Sequence, residues 1–267
     1  MNEATGDTVP RDRWGRPLIV PPEGGEPVAY TRMSSLAKVL DDTSNITAWK
    51  QRMVAVGLLK NPALMTRVSG IVANGIDSYQ GKRALNGVCD DAVKAGGGSD
   101  AASAGTGLHA LTEAMDAGHP LQFVAEADRV RLDAYAEATA GYTPLKAEGF
   151  VVVDEIKAAG SYDRLWMCPD GKARLGDLKT GRWDKSYPMG VTSQLAGYAH
   201  GRHYDFETGE REVLHPDLDD TVGLLIHMPP SGGCEVIPLD LTLGWEVLKT
   251  AVEARRFRGL KADAFYA

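Results

Sequence analysis

The sequence predicts an α/β protein, a mixed β-sheet flanked by helices with a helical N-terminal part. Three observations predict it. Between Glu148 and Lys179 two apolar, β-like segments flank Cys168-Pro169-Asp170-Gly171. Residues 221–228 (TVGLLIHM) and 234–239 (CEVIPL) read as two more strands around Pro229-Pro230-Ser231-Gly232-Gly233. From Ser34 onward, and again over 123–141, apolar residues recur in the three- and four-residue steps of helices. With no internal repeat and no clear second domain, residues 31–267 read as one domain whose helical region covers about 31–100.

Residues 1–30, rich in Pro, Gly and charge, read as an extended or disordered arm. Arg11, Arg13 and Arg16 there suit a solvated tail or a phosphate contact, and Trp14 hints that the arm packs on something. Asn45 or Thr47 is expected to cap a helix with Trp49, Met53, Val56 and Leu59 inward. Asn61-Pro62 opens the next helix, with Pro at its first position. A further helix is expected from about Ser78 to Val93. Lys50, Arg52, Lys60, Arg67, Lys82 and Arg83 read as exposed helix faces, or as one wall of a DNA groove. Lys94 to Ser99 is a glycine-rich break without the Gly-Lys-Ser/Thr of a phosphate loop. The helix after it, from near Thr106, carries His109, and Gly118-His119-Pro120 ends it. Over 123–141 the expected inner positions are Val130, Leu132, Tyr135 and Ala138.

The hairpin carries the chemistry. Pro, Asp and Gly at 169–171 suit a type I turn closed by a left-handed glycine, a three-residue loop. Cys168 then pairs with Lys172, and counting back sets Asp163 opposite Asp177. Like charges so placed destabilise a sheet, and a hard divalent cation such as Mg²⁺ compensates them. Lys179, two residues past Asp177, returns to the same face. A plain surface hairpin with scattered charges is the alternative, but Leu165, Leu175 and Val151–Val153 point to a largely buried sheet.

Gly160-x-x-Asp163-Arg164-Leu165 and Gly176-Asp177-Leu178-Lys179-Thr180-Gly181 together resemble the core of the PD-(D/E)xK nuclease superfamily. The resemblance is closest to its RecB-like exonuclease branch, which includes CRISPR-associated and phage recombination exonucleases. Gly105-Thr106-Gly107-Leu108-His109 resembles the helix carrying that branch's metal-binding histidine. Gln194-Leu195-Ala196-Gly197-Tyr198 is similar to its Q-x-x-x-Y motif, four residues apart on one helical face. The resemblance covers roughly residues 105–198 and implies a restriction-endonuclease-like fold. It implies a Mg²⁺- or Mn²⁺-dependent deoxyribonuclease, exonuclease rather than endonuclease, in phage or bacterial DNA recombination or repair. Asp163, Asp177 and Lys179 are then catalytic. The metal is held by Asp163, Asp177, the Leu178 carbonyl and His109, with Glu148 as a further candidate. Gln194, Tyr198 and Arg182 contact substrate. The competing expectation is a non-catalytic DNA-binding or assembly module that keeps the fold.

Beyond the hairpin, Arg182, Trp183, Lys185 and Tyr187 suit either stacking on single-stranded ends with phosphate contact or a loop that packs Trp183 onto the core. His200 and His203, three apart, look superficially like a metal pair on a continuing helix. Thr242 is expected to cap the last helix, whose Arg255, Arg256 and Arg258 complement its dipole and also suit contact with phosphate. Composition narrows the rest. The 267 residues are 43% hydrophobic and 24% charged, an ordinary globular balance. No apolar run approaches the ~18 residues of a membrane helix, and the N-terminus lacks the arrangement of a secretory signal. A cytoplasmic protein is expected, in the host cytoplasm if phage-encoded, with no membrane partner. Cys89, Cys168 and Cys234 are too few for the four-cysteine iron–sulfur cluster of some relatives, so no cluster is expected. A net charge of −7 leaves DNA binding to local basic patches. Further expected partners are DNA, a single-strand annealing recombinase and a second copy of the chain.

Overall fold

The structure is a computed structural model that describes residues 9–98, 100–122, 124–181 and 188–266, with 100–104 as backbone only. The chain is mixed α/β and divides into a helical unit, Asp42–Ala110, and a sheet unit, Met1–Asp41 with Leu111–Ala267.

The sheet unit begins with a ribbon of β1 (Leu18–Ile19) and β2 (Val28–Ala29), followed by β3 (Thr31–Arg32) and the short helix α1 (Met33–Ala37). Part of the expected arm is therefore docked. Ile19 and Tyr30 are buried with Val152, Ala159 and Tyr204. Polar anchors add to this: Val20 N–H donates to the Tyr204 hydroxyl at 3.0 Å. Tyr30 donates to Asp154 at 2.7 Å, and Arg211 donates to that carboxylate and to the Val20 carbonyl. A few apolar residues in a Pro-rich stretch suffice when such partners wait for them.

The helical unit packs α2 (Ser44–Lys60), α3 (Pro62–Ala73) and α4 (Tyr79–Ala95) around Leu64, Val88 and Ala92. Helix α2 begins at Ser44, so Asn45 and Thr47 lie inside it rather than at its cap, whereas the next two helix starts fall where they are expected. Pro62 opens α3, and the Ser78 hydroxyl accepts from Gly81 N–H at 2.9 Å to cap α4. The inner face of α2 does not follow expectation: Leu59 is 82% exposed and Val56 is also exposed. The seam runs through Gly57, where an added Cβ would lie 1.8 Å from the Ala92 carbonyl oxygen. Backbone contact there sets which side faces in, and apolar spacing does not register a glycine. Lys50, Arg52, Lys60, Arg67, Lys82 and Arg83 are all exposed. Helix α5 (Asp100–Asp116) starts earlier than Thr106 and ends where Gly118 turns left-handed (φ 68°).

In the sheet unit follow α6 (Glu126–Thr139), β4 (Thr143–Ala147), β5 (Phe150–Val153), β6 (Ala158–Ser161), β7 (Arg164–Met167) and β8 (Ala173–Lys179). Then come α7 (Met189–Ala199), β9 (Arg202–Tyr204), β10 (Arg211–Glu212), β11 (Val222–His227), β12 (Glu235–Asp240) and α8 (Leu241–Arg258). On α6, Leu132 and Tyr135 are buried as expected, but Val130 is 58% exposed. Asp240, not Thr242, caps α8, accepting from Leu243 N–H at 3.0 Å.

Where one mixed sheet is expected, the described residues form two five-stranded mixed sheets, ordered β10-β9-β5-β6-β3 and β12-β11-β8-β7-β4. β5 and β6 pair with each other, and the chain crosses to the second sheet at Tyr162–Asp163. Both sheets and α1, α7 and α8 share one core, with Val151, Leu165, Leu175, Leu195, Leu225 and Leu248 among its members. Among the described residues no helix is long and apolar enough to cross a membrane.

The hairpin between β7 and β8 has the predicted register. Cys168 N–H donates to Lys172 O at 2.8 Å, Gly171 N–H to Cys168 O at 2.9 Å, and Arg164 pairs with Gly176. Arg174 braces the loop through Asp170 and Asp219, at 2.8 and 2.7 Å. Gly171 holds φ 78°, where a β-branched side chain collides with its own backbone. Gly171→Val is therefore expected to lower stability by about 1–2 kcal/mol in urea unfolding. An unchanged midpoint would mean that the loop does not need a left-handed residue.

Candidate functional site

Continuing the hairpin register one step past Arg164 and Gly176 sets Asp163 against Asp177. Asp163 lies just before β7, and its Oδ2 accepts from Leu178 N–H at 2.9 Å. Asp177 is 3% exposed on β8, and two residues on Lys179 forms an ion pair with its Oδ2. The alternation of β8 thus produces the expected patch, with Leu178 buried on the opposite side.

Helix α7 covers it. Gln194 Nε2 donates to Asp177 Oδ1 at 3.4 Å. One turn on, Tyr198 is 2% exposed. Burial pushes its phenol above the ordinary range, and the Asp177 and then Asp163 carboxylates push it further. Both negative charges are therefore within electrostatic reach of one hydroxyl. Gly160 has a reason in the same ring: a Cβ there would meet the Tyr198 hydroxyl at 2.8 Å. The motif that begins at Gly160 thus meets the Gln194–Tyr198 motif at one point.

The other predicted residues stand as follows. Glu148 is exposed in a turn with left-handed φ 50°, before rather than within β5. Its N–H donates to the Asp163 carbonyl at 3.2 Å, so it borders the site through its backbone. His109 is half-buried on α5, within the helical unit, whereas the sheet unit by itself holds Asp163, Asp177, Lys179, Gln194 and Tyr198. Arg182, with Trp183, Lys185 and Tyr187, lies outside the described residues. His200 and His203 are not on one helix, because α7 ends at Ala199. His200 stacks on Trp245 at 4.1 Å, and His203 sits on β9 bonded to the Tyr162 hydroxyl at 2.8 Å.

His203 has a consequence for stability. Burial, then the Lys146 charge, lowers its pKa from 6.5 to about 4. The unfolded ring takes up its proton first, so stability is lost as pH falls from 6.5 toward 4. Discounted for partial exposure, the loss is about 1–2 kcal/mol. His203→Gln is expected to flatten the dependence of the urea midpoint across that window, and an equally steep profile would rule the ring out as its source.

Three residues that sequence reasoning gave no role support the patch. Arg164 is 1% exposed, and its guanidinium donates to the Asp163 carbonyl at 2.9 Å and to Thr112 Oγ1 at 2.8 Å. The same group pairs with Asp116 at 2.7 Å and Glu113 at 3.3 Å. Arg131 on α6 donates to the carbonyls of Thr180 and Met228, at 2.8 and 2.7 Å, holding together the strand ends beyond Lys179 and His227. His227, buried on β11, stands in register with Lys179. Their partners lie far off in sequence, and only Arg164 falls inside a motif.

Donor chemistry decides what the patch can hold. Two carboxylates and the Leu178 carbonyl are hard oxygen donors, and Mg²⁺ commonly uses one or two carboxylates while keeping several waters. The set fits such a cation, although among the described residues no three His, Cys, Asp or Glu side chains form a ready cluster. Lys179, 37% exposed against 4% for Asp177, has room to swing its ammonium aside. No protein-family model matches this chain, and no curated protein matches its sequence.

Proposed function

We propose that this chain is a metal-dependent deoxyribonuclease of the PD-(D/E)xK superfamily, RecB-like branch, with a restriction-endonuclease-like fold and exonuclease action. The observation carrying this reading is the hairpin register, with Asp163 against Asp177 and Lys179 returning to Asp177. Mg²⁺ or Mn²⁺, when bound, lowers the pKa of a water and polarises a phosphoryl oxygen. Asp163 and Asp177 would hold it, with the Leu178 carbonyl as a further donor and His109 and Glu148 as outer candidates. Lys179, released from Asp177, orients the attacking water or meets the negative charge that grows on the phosphate. Gln194 keeps the Asp177 carboxylate turned toward the patch, and Tyr198 on the same helical face holds α7 against it. The Leu178 N–H bond to Oδ2 of Asp163 fixes that carboxylate before substrate arrives.

The ion pair of Lys179 with Asp177 is also compatible with a DNA-binding or assembly module that does not cut. Labelled duplex and single-stranded DNA incubated with Mg²⁺ or Mn²⁺ separates the two. Metal-dependent loss of label, abolished in Asp177→Ala, is the expected result. No loss under either metal, with Asp177→Ala indistinguishable from the parent, overturns the nuclease. A cytoplasmic setting, a place in phage or bacterial recombination, an annealing partner and self-association belong to the same reading. Pull-down of an annealing protein tests the partner.

A further inference from the structure

On the sheet unit a groove of about 400 Å³ is lined by Trp14, Arg16, Thr31, Arg32, Ser35 and Arg255. The proposed hydrolytic patch uses none of these residues. Trp14 is 61% exposed, yet it does not sit on a loose tail. Asp12 closes its loop, accepting through Oδ1 from the N–H groups of Trp14 and Arg16, both at 2.9 Å. Arg11 and Pro17 bridge the base of the loop, and Gly15 makes the turn at φ 74°. An exposed indole is thus presented in a fixed place. The Arg13 and Arg16 guanidinium carbons lie 4.0 and 5.0 Å from its ring centre.

Charge in the groove opposes that of the whole chain, which carries −7. Arg16 is paired with Asp12 at 2.7 Å. Arg32 and Arg255 take part in no ion pair among the described residues, whereas the neighbouring Arg256 is paired with Glu253. Two guanidinium groups without an ion-pair partner among the described residues, and an indole that stays 61% exposed beside Arg13 and Arg16, match a ligand that carries both phosphates and an aromatic face. Planar forks of this kind suit phosphates, and an exposed indole accepts any base face that is not already stacked. A duplex hides its base faces, and a free phosphate has none.

We propose that this groove binds a single-stranded polynucleotide segment, with a base on Trp14 and backbone phosphates on Arg32 and Arg255. The binding face stands on its own residues, whether or not Asp163 and Asp177 support hydrolysis. The test is anisotropy of a short fluorescein-labelled oligothymidylate with the full chain in EDTA, which stops any cleavage. Trp14→Ala is expected to weaken binding about tenfold, with Trp14→Phe retaining much of it. The double variant Arg32→Glu/Arg255→Glu is expected to bind more weakly still and to lose about 0.7 from the salt slope per phosphate contact removed. Circular dichroism and the thermal midpoint confirm that each variant is folded. Parent-like binding in folded Trp14→Ala and in the double variant overturns the proposal. So does a duplex of the same length that binds as tightly as the single strand. Absence of Mg²⁺-dependent cleavage with oligothymidylate binding intact removes the nuclease alone.

Discussion

Asp177→Ala and Lys179→Ala are each expected to lower Mg²⁺-dependent DNA cleavage by about 10²–10³-fold, the range for losing one electrostatic partner of a developing charge. Their metal dependence separates them. On the proposed reading Asp177 is a metal donor, so its loss is expected to raise the Mg²⁺ concentration needed for half-maximal rate. Lys179 competes for the same oxygen, because its ammonium pairs with Asp177 Oδ2. Removing that ammonium leaves the carboxylate for the ion alone, so Lys179→Ala needs less Mg²⁺ while turning over more slowly. Rates across a Mg²⁺ titration give one measurement. Calorimetric titration with Mn²⁺ in the absence of DNA gives another that does not depend on activity. Tighter Mn²⁺ binding in Lys179→Ala and weaker binding in Asp177→Ala is the expected pair of signs. Parent-like cleavage in Asp177→Ala would remove the carboxylate from the mechanism.

How far the sequence reveals this site depends on the range of the forces involved. The hairpin is legible because a three-residue loop leaves one register, and Cys168 pairing with Lys172 then determines what faces what up to Asp163 and Asp177. Helix starts are legible where a local group supplies the signal, as with Pro62 and Ser78. The inward face of α2 is not, because it is set by Gly57 against the backbone of Ala92, a contact without a side chain. The second sheet escapes for a related reason. β5 carries the apolar run expected of a buried strand and β6 reads only Ala-Ala-Gly-Ser, and no residue between 150 and 161 states which neighbours they take. The α/β class survives that ambiguity because it depends only on the elements. Arg164 is the extreme case, since the hydroxyl it reaches on Thr112 lies 52 residues earlier.

That distance makes Arg164 the residue whose loss should cost the fold most. Its guanidinium is 1% exposed and Asp116, its closest carboxylate, 9%. Tyr135 also donates to Asp116, at 2.9 Å to each oxygen. Arg164→Met removes the cation and leaves that carboxylate buried without its counter-charge. Breaking a buried pair from one side in this way costs about 3–5 kcal/mol. Removing both partners in Arg164→Met/Asp116→Asn is expected to recover a large part of the loss, because the more buried carboxylate is then no longer stranded and Glu113, 26% exposed, keeps access to water. Urea unfolding of the two single variants and the double variant closes the cycle, and the coupling should exceed about 1 kcal/mol. Additive losses would show that the two groups act independently. Arg164→Lys separates positioning from charge: the cation stays, but the fork that reaches Thr112, Asp116 and the Asp163 carbonyl together does not. A nearly native midpoint with reduced turnover at unchanged KM is then expected, since Asp163 loses the bond that fixes its backbone while the fold keeps its buried charge. Full activity in Arg164→Lys would mean that the carbonyl contact places nothing that the reaction uses.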